Sequence, residues 1–109
     1  MAKATADIRR VIGRYRKELE GMGFPVEQVM LFGSQALGTA REGSDIDLLI
    51  VSSAWTGLSE RERLEILGIA AARVLEPIQA RAATPEEFES HLLSPFLQRV
   101  LQEQGVAVG

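Results

Sequence analysis

The sequence contains no cysteine and a single histidine, His91. The first absence excludes disulfide bonds, thiolate metal sites and cysteine nucleophiles, and the second excludes a metal site built from several histidines. No apolar run approaches the roughly 20 residues that span a bilayer, and residues 1–6 do not resemble the start of a signal peptide. We therefore expect a soluble, cytoplasmic protein with no membrane partner.

Little else in the composition is unusual. The chain has 109 residues, of which 46% are hydrophobic and 25% are charged. A length of this order suits one domain, and this balance of apolar and charged residues is typical of a folded protein. We find no internal repeat and no linker composition, so residues 1–109 are predicted to form a single domain.

The charge is unevenly distributed along the chain. The net charge is −3, which argues against a protein that binds nucleic acid on its own. Residues 1–17 nevertheless carry six cations against Asp7 alone. Two interpretations of this basic start remain open: a solvated helix face, or a docking surface for an acidic partner or an RNA.

Three short segments have the character of β-strands. Residues 29–32 form a continuous apolar run, which is typical of a strand buried on both faces. Residues 45–51 alternate, so that Asp45 and Asp47 share one face with two apolar side chains. Residues 78–83 are the third predicted strand.

Helices are predicted between and after these strands. A brief helical turn is expected at residues 34–38, and the helix after the capping-box pair Ser59 and Glu62 is expected to bury Leu64. The predicted helix-capping residues are Thr5, Ser59, Thr84 and Ser94. The order α-β-(turn)-β-α-β-α-α predicts an α/β (α+β) fold, with a small mixed β-sheet flanked by helices.

The two aspartates of the second strand are candidates for metal binding. Residues two apart on a strand have Cα atoms roughly 6.6 Å apart and side chains on the same face, so Asp45 and Asp47 can bracket a divalent cation. Mg²⁺ suits such a pair, because it takes few carboxylates and completes its shell with water and phosphate oxygens. The alternative is a strand end whose acids are solvated or paired with arginine.

Gly33 and Ser34 are candidates for phosphate binding. A glycine at the end of a buried strand, followed by a serine that opens a helical turn, exposes backbone N–H groups and a hydroxyl to an anion. A phosphate site next to a metal-binding acid pair is the apparatus of phosphoryl or nucleotidyl transfer.

These residues carry a resemblance to a known family. Gly33-Ser34, the ten residues 35–44, and the Asp-x-Asp formed by Asp45 and Asp47 match the signature of the minimal nucleotidyltransferases. This group belongs to the DNA polymerase β-like superfamily, and its order of helices and strands is similar to the one predicted here.

The resemblance implies a function and a set of roles. Gly33 and Ser34 would bind the triphosphate of a nucleotide, with ATP expected, and Asp45 and Asp47 would be catalytic and bind one or two Mg²⁺ ions. An acceptor hydroxyl would attack the α-phosphorus, and pyrophosphate would leave. Small members of the group often accompany a helical partner protein, and some are antitoxins that transfer AMP to a partner toxin.

One position departs from the family pattern. The family commonly has a third carboxylate on the next strand, where it binds metal and acts as a base. Here Gln79 is predicted at that position, and a register change of two residues would instead place Arg81 there. The alternative function is therefore a catalytically weak or inactive module that binds nucleotide, a helical partner, or both.

Overall fold

The computed structural model describes residues 6–41, 43–90 and 92–108. The predicted cap Thr5 and the lone histidine His91 lie outside the described residues. The helices are α1 (Ala6–Gly21), α2 (Ser34–Leu37), α3 (Glu60–Val74), α4 (Pro85–Glu89) and α5 (Pro95–Gln104), with a short 3₁₀ turn at Ser53–Trp55. The strands are β1 (Gln28–Phe32), β2 (Ile46–Val51), β3 (Ile78–Ala83) and β4 (Val106–Ala107).

The four strands form one mixed sheet in the order β3-β2-β1-β4. Strand β1 is antiparallel to both β2 and β4, whereas β2 and β3 are parallel. The predicted fold class, a small mixed sheet flanked by helices, is confirmed. Strand β4 was not predicted, because two residues are too short to show an alternating pattern.

The alternation of β2 assigns its side chains to two hydrophobic clusters. Ile46, Leu48 and Ile50 pack with buried side chains of α1 and α3. Leu49 and Val51 face the opposite side of the sheet, where α4 and α5 supply the contacts. Because side chains alternate along a strand, Asp47 lies on the α5 side of the sheet.

Helix α1 is attached to α3 by polar contacts as well as by apolar packing. The Tyr15 hydroxyl is buried and donates a hydrogen bond to the Leu67 carbonyl at 2.9 Å, and burial raises the pKa of this phenol. Arg14 donates to the Val74 carbonyl at 3.0 Å, and Arg16 donates to a carbonyl within the segment that follows α1. Two cations of the basic segment thus have structural contacts within the chain.

The capping signals predicted from the sequence are present. Ser59 with Glu62 and Thr84 with Glu87 each form a reciprocal capping box, and Ser94 accepts a hydrogen bond at the start of α5. These side chains satisfy backbone N–H groups that the first helical turn leaves without partners.

The prediction that α3 buries Leu64 is wrong. Leu64 is 43% exposed, and the neighbouring Arg63 is buried instead. The Arg63 guanidinium donates to Glu87 of α4 at 2.8 Å and to the Leu58 carbonyl at 3.2 Å, and the pKa of Glu87 is lowered chiefly by this hydrogen bond. The Arg63–Glu87 ion pair thus joins α3 to α4, and α3 packs against the core through Leu67, Ala70 and Val74 rather than through Leu64. In the described parts of the chain, no helix combines the length and the apolar character needed to cross a bilayer.

Candidate active site

The turn between β1 and α2 depends on Gly33. Its φ of 74° and ψ of −157° lie in a region that is almost restricted to glycine. The Gly33 carbonyl accepts hydrogen bonds from the N–H groups of Ala36 and Leu37, both at 3.1 Å, and Gly38 ends the short helix in the left-handed conformation. The helical turn predicted after the first strand is therefore present, and it begins at Ser34.

The Asp47 carboxylate lies directly against this turn. In the antiparallel ladder Asp47 pairs with Phe32, the residue before Gly33. A Cβ atom added to Gly33 would overlap the Asp47 carboxylate, with Oδ2 as the nearest atom. Gly33 thus has two structural roles: it allows the backbone to turn, and it leaves room for the acid.

Three of the four predicted site residues line one cavity. The cavity has a volume of about 760 Å³, and its walls include Gly33, Asp45 and Asp47. Asp45 immediately precedes β2 and is exposed, whereas Asp47 is half-buried. The fourth predicted residue, Ser34, follows Gly33 at the start of α2 but is not part of the cavity wall.

The electrostatics of the cavity favour a cation beside the two acids. The pKa of Asp47 is raised, first by burial and second by the negative charge of Asp45, and the positive charge of Arg81 opposes this shift. Both effects make the ionised form of Asp47 costly unless a positive charge is nearby. The oxygen ligands of Asp45 and Asp47 fit Mg²⁺, which binds through one or two carboxylates together with substrate phosphates.

A third carboxylate does not join this pair in the described chain. Residues 6–41, 43–90 and 92–108 contain no group of three or more acidic or histidine side chains placed to hold a metal ion. The parallel ladder pairs Asp47 with Gln79 and Leu49 with Arg81. The residue beside Asp47 is therefore Gln79, as predicted, and not the alternative Arg81.

Arg81 lines the same cavity from β3. It lies close enough to lower the pKa of Asp47, yet the described structure shows no ion pair between them. The acids are thus not neutralised by a direct contact with Arg81. Two other charged side chains lie elsewhere: Arg41 lines a separate cavity, and Glu76 pairs with Arg14 at 3.7 Å.

Helix α5 forms a wall of the cavity that the sequence did not reveal. The lining residues of this helix are Phe96, Arg99, Val100, Glu103 and Gln104. The Gly33 N–H donates a hydrogen bond to Gln104 Oε1 at 3.1 Å. These residues are three or four positions apart, so they lie on one face of the helix. No pattern in the sequence predicts that this face packs beside Gly33.

A glycine turn beside an acid pair on neighbouring antiparallel strands is an arrangement that can hold a divalent cation together with phosphate oxygens. Sequence comparison gives the family: the nucleotidyltransferase domain family matches residues 10–108. The chain therefore belongs to this family, and the resemblance seen in the Gly-Ser and Asp-x-Asp residues is confirmed.

Solved structures with a similar fold have low sequence identity to this chain. A toxin–antitoxin complex with AMP-PNP is 20% identical, with a TM-score of 0.63 over 93% of this chain and 72% of that one. A mutant of the toxin–antitoxin MntA–HpeT is 18% identical, with a TM-score of 0.59 over 92% and 70%. A Sulfolobus solfataricus protein assigned as a nucleotidyltransferase is 23% identical, with a TM-score of 0.54 over 98% and 89%. No curated protein matches the chain.

Proposed function

We propose that this protein is a Mg²⁺-dependent nucleotidyltransferase that binds a nucleoside triphosphate, with ATP expected, and transfers NMP to an acceptor hydroxyl. The observation that carries the proposal is the placement of Asp45 and Asp47 in one cavity with Gly33, against which the Asp47 carboxylate packs. Membership of the nucleotidyltransferase family supports the same chemistry.

Each residue of the site has a role in this proposal. Asp45 and Asp47 would hold Mg²⁺, which when bound neutralises charge on the phosphate oxygens. The Gly33 N–H already donates to Gln104, so phosphates that lie beside Gly33 and the aspartates would be bound by Mg²⁺. They would also be bound by Ser34, whose side chain would have to turn toward the cavity because Ser34 is not part of its wall. The acceptor hydroxyl releases its proton to solvent and its oxygen forms a bond to the α-phosphorus, the bond between that phosphorus and the bridging oxygen breaks, and pyrophosphate leaves.

The proposed acceptor belongs to a partner protein. The net charge of −3 disfavours a chain that holds a nucleic-acid acceptor on its own. Two of the similar structures are toxin–antitoxin proteins, one of them with AMP-PNP. We therefore propose a small helical partner, with this chain as the antitoxin that modifies it.

The proposed function is tested by asking which labelled phosphate of ATP is transferred to the partner protein. The protein and the product of the neighbouring gene are incubated with Mg²⁺ and ATP labelled at either the α- or the γ-phosphate. Nucleotidyl transfer predicts label on the partner from α-labelled ATP only, and none when EDTA is added. Transfer of the γ-label would indicate a kinase, and the absence of any label would contradict the proposal.

A second candidate is a module that binds nucleotide but transfers it poorly. The observation in its favour is that Gln79, a neutral amide, is paired with Asp47 where the family commonly has an acid. An amide cannot accept a proton at ordinary pH. Calorimetric binding of Mg·ATP without any transfer of label would support this candidate.

We predict that Gln79→Asp increases the rate of transfer. The new carboxylate would lie beside Asp47 and could bind metal and accept the proton of the acceptor hydroxyl, an effect on the order of 10²-fold for general-base catalysis. Initial rates with α-labelled ATP measure it, and Gln79→Asn, which is similarly small but neutral, should give no increase. An unchanged rate in Gln79→Asp would mean that two carboxylates already suffice.

A further inference from the structure

The cavity that holds the two aspartates continues to an apolar end. Phe96 of α5 and Leu64 of α3 both line it, and they are 72% and 43% exposed. Single exposed apolar side chains are common on protein surfaces. Here, however, two large ones from different helices line the cavity that also contains Gly33 and the acid pair. The cavity thus has an acidic end beside Gly33 and an apolar end.

Helix α5 connects these two ends. Gln104, near its C-terminus, accepts a hydrogen bond from the Gly33 N–H and so fixes that end of the helix at the β1–α2 turn. Phe96, Val100 and Gln104 are spaced by four residues and lie in one row on the helix. Phe96 is therefore about 12 Å from Gln104 along the axis, at about 1.5 Å per residue. This separation is comparable to that between the phosphates and the base in an extended nucleotide.

We infer that Phe96 is the stacking surface for the nucleobase of the bound nucleoside triphosphate, with Leu64 contacting the base from α3. This inference rests on the proposed function, because it takes the phosphates to lie at Gly33 and the aspartates. An aromatic ring stacks on the π-face that every base presents. Phe96 therefore contributes affinity for the nucleoside and does not select one base over another.

Comparing two ligands separates the base contact from the phosphate contact. Mg·ATP and Mg·tripolyphosphate carry the same phosphate chain, but only ATP has a base. Phe96→Ala should weaken binding of Mg·ATP by roughly 5- to 150-fold, the range expected for loss of one base–aromatic stack. Binding of Mg·tripolyphosphate should be unchanged. Isothermal titration calorimetry measures both affinities.

Two further variants control for effects on the surface and on the fold. Leu92→Ala removes a side chain that is 66% exposed and is not part of this cavity wall, so both affinities should stay unchanged. Phe96→Tyr keeps the aromatic ring and should retain ATP affinity. If Tyr fails to restore what Ala loses, stacking is not the role of Phe96.

A fluorescence measurement gives a second readout. Trp55 is fully buried and stacks on Phe24, with ring centroids 5.1 Å apart, so its emission should not respond to ligand. Phe96→Trp adds an exposed indole to the cavity wall. Mg·ATP should quench this emission, whereas Mg·tripolyphosphate should not.

The possible outcomes distinguish this inference from the proposed function. If wild-type protein binds neither Mg·ATP nor Mg·tripolyphosphate, the proposed function fails, and the base site fails with it. If both ligands bind but Phe96→Ala weakens them equally or not at all, only the base site is overturned. Selective loss of ATP affinity with quenching in Phe96→Trp establishes it.

Discussion

Replacing Asp47 with asparagine should reduce nucleotidyl transfer by roughly 10³-fold, since charge stabilisation by a bound metal is worth several kcal/mol and each tenfold in rate is about 1.4 kcal/mol. The substitution keeps the shape of the side chain but removes the charge that would hold Mg²⁺ in the cavity with Asp45. Transfer of label from α-labelled ATP measures the rate, and calorimetry measures the affinity for Mg·ATP.

The same variant should not lose stability. The pKa of Asp47 is raised in the folded state by burial and by Asp45, so without metal its ionisation opposes folding. Because the folded state binds the Asp47 proton more tightly than the unfolded state does, protonation of Asp47 stabilises the fold. This stabilisation is complete at pH values below the pKa of Asp47 in the unfolded chain, and it is lost as the pH rises through the higher pKa of the folded state. At pH 7 Asp47→Asn should therefore be at least as stable as wild type in urea denaturation without Mg²⁺, with the difference shrinking in acid.

An acid outside the site provides the control for this experiment. Asp7 is exposed on α1 and pairs only with Arg10 at 3.2 Å in the described structure. Asp7→Asn should leave the transfer rate within a factor of two or so, since exposed ion pairs contribute little. Cooperative unfolding of Asp47→Asn at much lower urea than wild type would contradict a functional role and indicate that Asp47 is a structural residue.

The parts of the fold that were predictable are those encoded by neighbouring residues. The alternation in β2 placed Ile46 and Leu48 on one side of the sheet and Leu49 on the other, as the two hydrophobic clusters show. The capping boxes at Ser59 and Thr84 depend on side chains only three residues apart. Such patterns involve residues that are close in the sequence, so they can be recognised from a short stretch of one sequence.

The parts that were missed depend on contacts between distant residues. Leu64 was expected in the core, but α3 buries Arg63 instead, which pairs with Glu87, 24 residues away. The α5 wall of the cavity lies beside Gly33, and the hydrogen bond that joins them is between Gly33 and Gln104, 71 residues apart. No pattern within either segment indicates its partner.

The candidate site was predictable in part, because some of its residues are encoded by local spacing and others are positioned by contacts between distant residues. The Gly-Ser and Asp-x-Asp spacing identified Gly33, Asp45 and Asp47, and these three residues do line one cavity. The sequence predicted Gln79 on the neighbouring strand but left Arg81 open as the alternative, and the strand pairing places Gln79 beside Asp47. The residues of α5 could not be found in this way, because their position is set by how that helix packs against the sheet.

The substitution Gly33→Ala should cost both stability and activity. A side chain at φ 74° and ψ −157° is strained by about 1–3 kcal/mol, and the added Cβ would also overlap the Asp47 carboxylate. The carboxylate must then move, and a displacement of about 1 Å in an active site can cost about 10²-fold in rate. Urea denaturation and label transfer measure the two effects.

A matched glycine separates backbone strain from the clash with Asp47. Gly57 has a φ of 83°, but a Cβ there meets no atom within 4 Å. Gly57→Ala should therefore lose stability through strain alone and keep its transfer rate. If Gly57→Ala loses as much activity as Gly33→Ala, the loss reflects general destabilisation and not displacement of the acid.

A double-mutant cycle isolates the contact itself. Asp47→Ala removes the carboxylate that the Gly33→Ala methyl group would meet, so the double variant should be more stable than the sum of the two single effects predicts. The remaining cost should approach that of Gly57→Ala, because only backbone strain and a 3.3 Å contact with the Cβ of residue 47 are left. Additive effects would mean that the Asp47 carboxylate moves away from the new methyl group without cost, and that Gly33 does not fix its position.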